Sequence, residues 1–172
     1  MKTQHFIFGF IVATFIFLTG ASVFLFKQKQ DFNKKFAVFP EFCLPQAIDS
    51  ALFCNTQIDK EKPVVIKYMH PECEHCKHEA QEIRHKPDLA NTIQWVLVSF
   101  AERDSLNQFA TTYQLDNMPN LTILMDAEFE LFDLLQVNGR IPSCYIYDRR
   151  LRLVKVSRGT ERLEKVVRLA GR

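Results

Sequence analysis

Apolar residues fall into two regimes along this chain. Phe6 to Phe26 is a run of 21 residues without a formal charge. Beyond it, short β-branched runs alternate with longer segments in which apolar residues recur every three or four positions. Phe42–Pro45 and Ala51–Cys54 read as two short strands about Gln46–Ser50. Val64–Tyr68 follows Lys62-Pro63 and suits a buried strand. Glu74–His85 holds few breakers and predicts a helix that Pro87 stops. Ile93–Val98 is a second buried strand, and Asp104 or Ser105 is placed to cap a helix running to about Tyr113. Leu121–Leu124 predicts a third strand and Glu128–Leu135 a short helix, followed by an Asn138-Gly139 turn. Cys144–Tyr147 and Leu151–Val156 predict a hairpin turning at Asp148–Arg150. Thr160 opens a last helix, with Glu161 and Glu164 in its early turns. This β-α-β-α-β-α-β-β-α order implies an α/β domain: a mainly parallel central sheet, helices on both faces, and an antiparallel edge.

The opening run needs a separate account. As a helix, residues 6–26 would span about 31 Å, the thickness of a bilayer core of roughly 30 Å. A cleaved signal peptide is the alternative, with Phe6–Leu18 as its apolar region and Thr19-Gly20-Ala21 as the cleavage site. Val23-Phe24-Leu25-Phe26 extends the apolar run past that site, which favours an uncleaved transmembrane anchor. The chain thus divides into a short cytoplasmic segment (1–5), an anchor (6–26), a polar, lysine-rich linker (27–40) and a globular domain (41–172). More lysine follows the anchor than precedes it, which by itself would keep the domain in the cytoplasm. The cysteine chemistry favours an oxidising compartment. The N-terminal amine, Lys2 and His5 also hold the start of the chain inside. The expected location is therefore a bacterial inner membrane, crossed once, with the domain in the periplasm.

Charge changes this picture little. The net charge of +2 conceals a division: +4 over residues 1–40, −9 over 41–139 and +7 over 140–172. Arg158, Arg162, Lys165, Arg168 and Arg172 recur at helical spacing and read as the solvated face of the last helix. The alternative, a basic surface for nucleic acid or an anionic membrane, is disfavoured because no stacking aromatics are interleaved among them.

The candidate chemistry lies at Cys73-Glu74-His75-Cys76. Two cysteines three apart can close a disulfide across one helical turn. The first stands where free backbone N–H groups and the helix dipole favour an anion, and a thiolate is the attacking species in disulfide exchange. A protonated His75 supports that thiolate, and Glu74 opposes it. The competing chemistry is a zinc or copper site using the two cysteines with His70, His75, His78 or His85. Haem attachment is excluded, because Lys77 stands where histidine is required.

Lys62-Pro63-Val64-Val65-Ile66-Lys67-Tyr68-Met69-His70-Pro71-Glu72-Cys73-Glu74-His75-Cys76-Lys77-His78-Glu79 resembles the active-site segment of thioredoxin-like proteins. It is most similar to the membrane-anchored TlpA-like/redoxin group of thiol–disulfide oxidoreductases. Gly139-Arg140-Ile141-Pro142-Ser143-Cys144-Tyr145-Ile146-Tyr147-Asp148 resembles the segment that presents the family's cis-proline. The resemblance covers about residues 60–170. It implies a thioredoxin-like fold, Cys73 as nucleophile, Cys76 as resolving thiol, and Pro142 beside them to dock substrate. It implies protein thiols and disulfides as partners, and it calls for neither a cofactor nor a metal. The pattern departs from the family in two places. Pro71-Glu72 replace the aromatics common before the first cysteine. Lys67 stands where thioredoxin carries a buried acid six residues before that cysteine. Glu79 resembles the glutamate that TlpA-like members carry after the second cysteine; it is either a proton acceptor for Cys76 or a solvated helix carboxylate. Lys67 either lowers the pKa of a neighbouring thiol or, as strand lysines more often do, lies at an edge or snorkels to water; the latter is expected.

Three further cysteines remain. With Ile48-Asp49 at the centre of a hairpin, Cys43 and Cys54 stand opposite each other, either as a structural disulfide or as two small apolar side chains. Cys144 shares a strand face with Pro142, either as a third redox thiol near the centre or as a buried core thiol, the latter being expected. The function expected is thiol–disulfide exchange with protein partners. The alternatives are a metal-binding or metallochaperone module, and a peroxiredoxin-like peroxidase. The last is disfavoured, because the Pro-x-x-x-Thr/Ser-x-x-Cys pattern does not precede Cys73.

Overall fold

The computed structural model describes residues 14, 15, 17–27 and 38–171. The chain divides into two units, Met1–Ala37 and Val38–Arg172. In the first, residues 14, 15 and 17–27 are helical. Phe15, Phe17, Leu18, Phe24 and Phe26 are exposed there. The proposed span 6–26 lies partly outside the described residues. Among those described, no helix is long and apolar enough to cross a membrane.

The second unit is built on a five-stranded mixed sheet. A short hairpin comes first: β1 (Cys43–Pro45) and β2 (Leu52–Cys54), antiparallel, with Cys43 directly opposite Cys54. The two are joined in a disulfide. Then follow β3 (Val64–Tyr68), α1 (Glu74–His85), α2 (Pro87–Ala90), β4 (Gln94–Ser99), α3 (Arg103–Thr112), β5 (Leu121–Met125), α4 (Glu130–Leu134), β6 (Ser143–Tyr147), β7 (Leu153–Arg158) and α5 (Leu163–Ala170). The sheet order is β5-β4-β3-β6-β7. β3, β4 and β5 run parallel, and β6 and β7 add antiparallel pairs. This is the predicted alternation, with α2 added after Pro87.

β3 is the central strand and, apart from Lys67, carries apolar or aromatic side chains on both faces. Val64, Val65, Ile66 and Tyr68 are all fully buried, as a strand covered from both sides requires. Val65, Trp95, Leu97, Ile123, Cys144 and Ile146 meet the buried stripes of α1, α3 and α5 in one core. On the other face Tyr68 stands edge-on to Phe132 of α4, and Phe39 to Tyr147. Phe42 stacks on Phe53 within the hairpin. Arg103 Nη1 donates to the carbonyls of Gln46 and Ala47, both at 2.9 Å, fastening the hairpin to the start of α3.

Asp126, fully buried after β5, ties α4 to the sheet. Its carboxylate accepts the Tyr68 hydroxyl at 2.8 Å and the backbone N–H groups of Leu131 and Phe132. It therefore caps a helix whose own first residues offer no cap. Asn138-Gly139 turns as predicted, both at positive φ, a conformation that favours these two residue types.

Several boundaries differ from the sequence reading. Thr160 does not open the last helix; α5 begins at Leu163. Arg158 is not on its solvated face but ends β7, donating to the Val137 carbonyl. A β-strand residue at the start of an apparently helical repeat cannot be told from a helical one by spacing alone.

The disulfide closes a loop of sequence separation 11. Chain-entropy arguments assign such a loop about 3 kcal/mol. Cys43→Ser/Cys54→Ser is expected to lower unfolding free energy by about 2–4 kcal/mol in urea, with m rising as the released unfolded chain exposes more surface. Asp126→Ala removes a buried charged acceptor, leaving the Tyr68 hydroxyl unpaired. Its expected cost is about 2–4 kcal/mol by the same titration.

Candidate active site

The polypeptide leaves the C-terminal end of β3 and reaches α1 through His70-Pro71-Glu72. Cys73 is the N-cap residue, with extended backbone at φ −75° and ψ 115°. Its N–H donates to the His70 carbonyl at 3.1 Å, and its carbonyl accepts the Lys77 N–H at 3.0 Å, the first bond of the helix. The Cys73 side chain thus occupies the place where a serine or aspartate oxygen would accept free N–H groups. A thiolate there meets the positive end of the helix dipole. Cys73 is half-buried and Cys76 is buried, and both are free thiols.

α1 turns one face inward: Cys76, Glu79, Ala80 and Ile83, the i, i+3, i+4, i+7 set that contacts a core. Burial raises the Cys76 thiol first; the hydrogen bond with the Cys73 sulfur and the charge of Glu79 add to this. A backbone hydrogen bond at His70 opposes them, and the thiol is pushed up to about 12. The pair is asymmetric: an outer sulfur at a helix end, an inner sulfur kept protonated by its surroundings.

Glu79 is 3% exposed and is no solvated helix carboxylate. Its Oε2 lies 2.8 Å from Lys67 Nζ. Its Oε1 accepts the backbone N–H of Glu161 at 3.0 Å. Lys67 is likewise buried, 4% exposed, at the middle of the sheet opposite Cys144 of β6. The expectation of an edge or snorkelling lysine is therefore corrected: β3 is the central strand, and the ammonium reaches inward to a helix carboxylate. Cys144 is fully buried as expected; burial above all raises its thiol to about 11, with Lys67 opposing.

Behind Glu79 the polar network reaches the surface. Glu161 is held by Lys165 at 2.6 Å, Ser157 at 2.5 Å and Lys155 at 2.9 Å. Burial raises the Glu161 carboxyl, but these three donors outweigh it and hold it at about 2. Glu82 of α1 accepts the Leu163 N–H at 3.1 Å. Two glutamates of α1 thus supply side-chain acceptors to the backbone N–H groups of the approach and first residue of α5, whose own N-cap, Arg162, provides none.

The Ile141-Pro142 peptide is cis, as the resemblance implies, and immediately precedes β6. Glu74 and His75 are exposed on the first turn of α1. Glu74 pairs with Lys77 at 2.7 Å, which offsets its opposition to a Cys73 thiolate. Three residues before Cys73, the His70 ring lies 5.1 Å from Phe100, which stacks on Phe129 at 5.1 Å. Phe129 is exposed and adopts φ 58°, an uncommon conformation for a bulky residue. Among the described residues, no group of three or more His, Cys, Asp and Glu side chains is placed to hold a metal ion.

A family model described as the AhpC/TSA family matches residues 37–156. Among solved structures, a secreted Mycobacterium tuberculosis disulfide oxidoreductase homologous to E. coli DsbE is 17% identical. It covers 80% of this chain and 97% of its own, with TM-score 0.63. M. tuberculosis DsbF is 18% identical over 79% of this chain and 94% of its own, at 0.64. The M. tuberculosis peroxidoxin BcpB is 16% identical over 77% and 93%, at 0.65. At these identities the likeness shows the thioredoxin-like fold. No curated protein matches the chain by sequence.

In the native dithiol, iodoacetamide at pH 8 is expected to label Cys73 alone, and denaturation to add Cys76 and Cys144 but neither Cys43 nor Cys54; intact mass reads the count. Stability against pH follows from the same groups. Two thiols raised from an ordinary 9.0 to about 12 and about 11 favour folding below pH 9. That contribution is lost as pH climbs through those values. Glu161, lowered from 4.5 to about 2, contributes above pH 4.5, and its share is lost as pH falls towards 2. Chemical denaturation across pH 2–12 checks both limbs.

Proposed function

The chain belongs to the AhpC/TSA family and is a thiol–disulfide oxidoreductase; we propose that it exchanges disulfides with protein partners through Cys73 and Cys76. The observation that carries this reading is the asymmetry of the pair, an outer sulfur at the N-terminus of α1 and a buried one a turn further in.

In the reducing direction, the Cys73 thiolate attacks a substrate disulfide. One substrate sulfur leaves with the electron pair and takes a proton, and a mixed disulfide forms. Cys76 then gives its proton to Glu79 and attacks the Cys73 sulfur. The bond to substrate breaks, the second substrate sulfur leaves and collects that proton, and a Cys73–Cys76 disulfide remains. The substrate is reduced by two electrons and the dithiol oxidised. Run backwards, the same steps oxidise a substrate dithiol. Pro142 lines the approach to Cys73, and His75 and Glu74 tune its thiolate from the surface.

We further assign the charge-free segment 6–26 as a membrane anchor holding the domain in an oxidising compartment. Support comes from its length and from the exposed apolar side chains of Phe15, Phe17, Leu18, Val23, Phe24, Leu25 and Phe26. A peroxidase reading draws on the likeness to BcpB. It is the weaker of the two, because His70 and Ile66 stand where a peroxiredoxin's Thr/Ser and Pro would be.

Titration against glutathione or dithiothreitol, read by alkylation and mass, is expected to show a reversible two-electron couple between about −270 and −120 mV. Cys76→Ser is expected to accumulate a mixed disulfide at Cys73, and Cys73→Ser to abolish exchange. No Cys73–Cys76 disulfide at any poise would refute this reading, and saturable peroxide turnover would replace it with the peroxidase. Glu79→Gln is expected to slow resolution and remove its acid-side pH dependence; an unaltered profile would end the role assigned to Glu79.

A further inference from the structure

A lysine and a glutamate taken out of water together are weak contributors to stability, since apolar residues of similar volume often serve as well. Lys67 and Glu79 are such a pair, with side chains 5% and 3% exposed. Neither element requires it. Every other residue of β3 is apolar or tyrosine, and the inward face of α1 otherwise carries Cys76, Ala80 and Ile83. The pair stands one helical turn from the sulfur that must lose a proton for exchange to complete.

The surroundings leave Glu79 with little freedom. From β3 comes Lys67 Nζ at 2.8 Å; from the loop before α5, the Glu161 N–H at 3.0 Å. On α1 itself lie Cys76, whose thiol feels the charge of Glu79, and Glu82, which is taken up by the Leu163 N–H and Lys86. From β6 comes the Cys144 thiol, in register with Lys67. Lys155 of β7 and Lys165 of α5 are both drawn to Glu161. The ammonium in contact with Glu79 is therefore that of Lys67.

We propose that Lys67 is a positioning residue of the redox centre: it holds the Glu79 carboxylate as an anion beside Cys76 and so sets the pH range over which the mixed disulfide is resolved. This rests on the assignment of Glu79 as the acceptor of the Cys76 proton. Where thioredoxin itself carries a buried acid on the strand, this strand carries the cation Lys67, and the buried acid is Glu79 of the helix. Without the ammonium, a carboxylate buried at this depth lacks a counter-charge and takes up a proton. It then has no room for that of Cys76.

The test uses the full chain and its reaction with 5,5′-dithiobis(2-nitrobenzoate). The first thionitrobenzoate released reports attack by Cys73, and the second reports resolution by Cys76. Stopped-flow rates of the second release are followed from about pH 5 to pH 9. Lys67→Met is expected to move the acid limb upward by at least about one unit, about tenfold slower resolution at pH 6, with the first release unchanged. Lys67→Arg is expected to restore the wild-type limb. Glu79→Gln and Lys67→Met/Glu79→Gln are expected to share one profile, since Lys67 acts through Glu79. A Lys67→Met profile that superimposes on wild type overturns the proposal, as does an equal shift in the Glu79→Gln background. An unaltered Glu79→Gln profile removes the assignment beneath it as well. Absence of any second release in wild type instead overturns the exchange reading itself. Should Lys67→Met not fold, infrared difference spectra of wild type against Glu79→Gln decide. A carboxylate band for Glu79 at neutral pH supports the pairing, and a protonated carboxyl band overturns it.

Discussion

The Glu79 carboxylate joins three elements: the central strand, the helix of the two cysteines and the approach to the last helix. Through one oxygen it reaches the ammonium of Lys67 in the central strand. Through the other it accepts the Glu161 N–H on the approach to the last helix. The residue itself belongs to the helix that begins at Cys73. A buried carboxylate must have such partners, because the cost of leaving it unpaired exceeds what a single helix contact can offset. The position of α1 over the sheet, and with it the depth of Cys76, is thereby coupled to where Lys67 and Glu161 stand. The apolar stripe of the same helix supplies the remaining adhesion, and Ala80 and Ile83 permit close approach to the sheet.

From this seating the two cysteines acquire opposite environments within one turn of helix. Cys73 stands at the end, where unpaired N–H groups accumulate and partial positive charge favours a thiolate. Cys76 faces the core, where desolvation and a nearby carboxylate favour the thiol. Disulfide exchange needs this difference: a sulfur that attacks and a sulfur that waits. The spacing of two intervening residues rotates the second side chain inward while keeping it within a turn of the first.

Much of this was legible without coordinates. The hydrophobic alternation predicted the strands and helices in order, and α1 begins and ends at the residues the pattern named. The β-branched run at 64–68 announced a buried strand, and Pro87 a break. The opposed pair Cys43 and Cys54 followed from hairpin counting, and the register realises it. Helix ends were less legible. Thr160 was expected to open the last helix, yet the first N–H of α5 is accepted by the Glu82 carboxylate of another helix. Such a trans arrangement leaves no local trace. The burial of Glu79 did leave one, since it lies in the same helical stripe as Cys76, Ala80 and Ile83, and a stripe that points inward carries its polar member with it.

The sequence by itself determined the elements, their order and the chemistry available at the Cys-x-x-Cys turn. These depend on interactions between residues close along the chain: periodicity, breakers and the geometry of a helix start. Only the tertiary structure decided that Lys67 lies inside rather than at an edge, that Glu79 is its partner, and that the rings of His70, Phe100 and Phe129 come together. A strand's place in a sheet is set by which strands flank it, and β3 is flanked by β4 and by β6, the latter from far along the chain. Burial of a charge is a property of that order, not of the residues beside it in sequence.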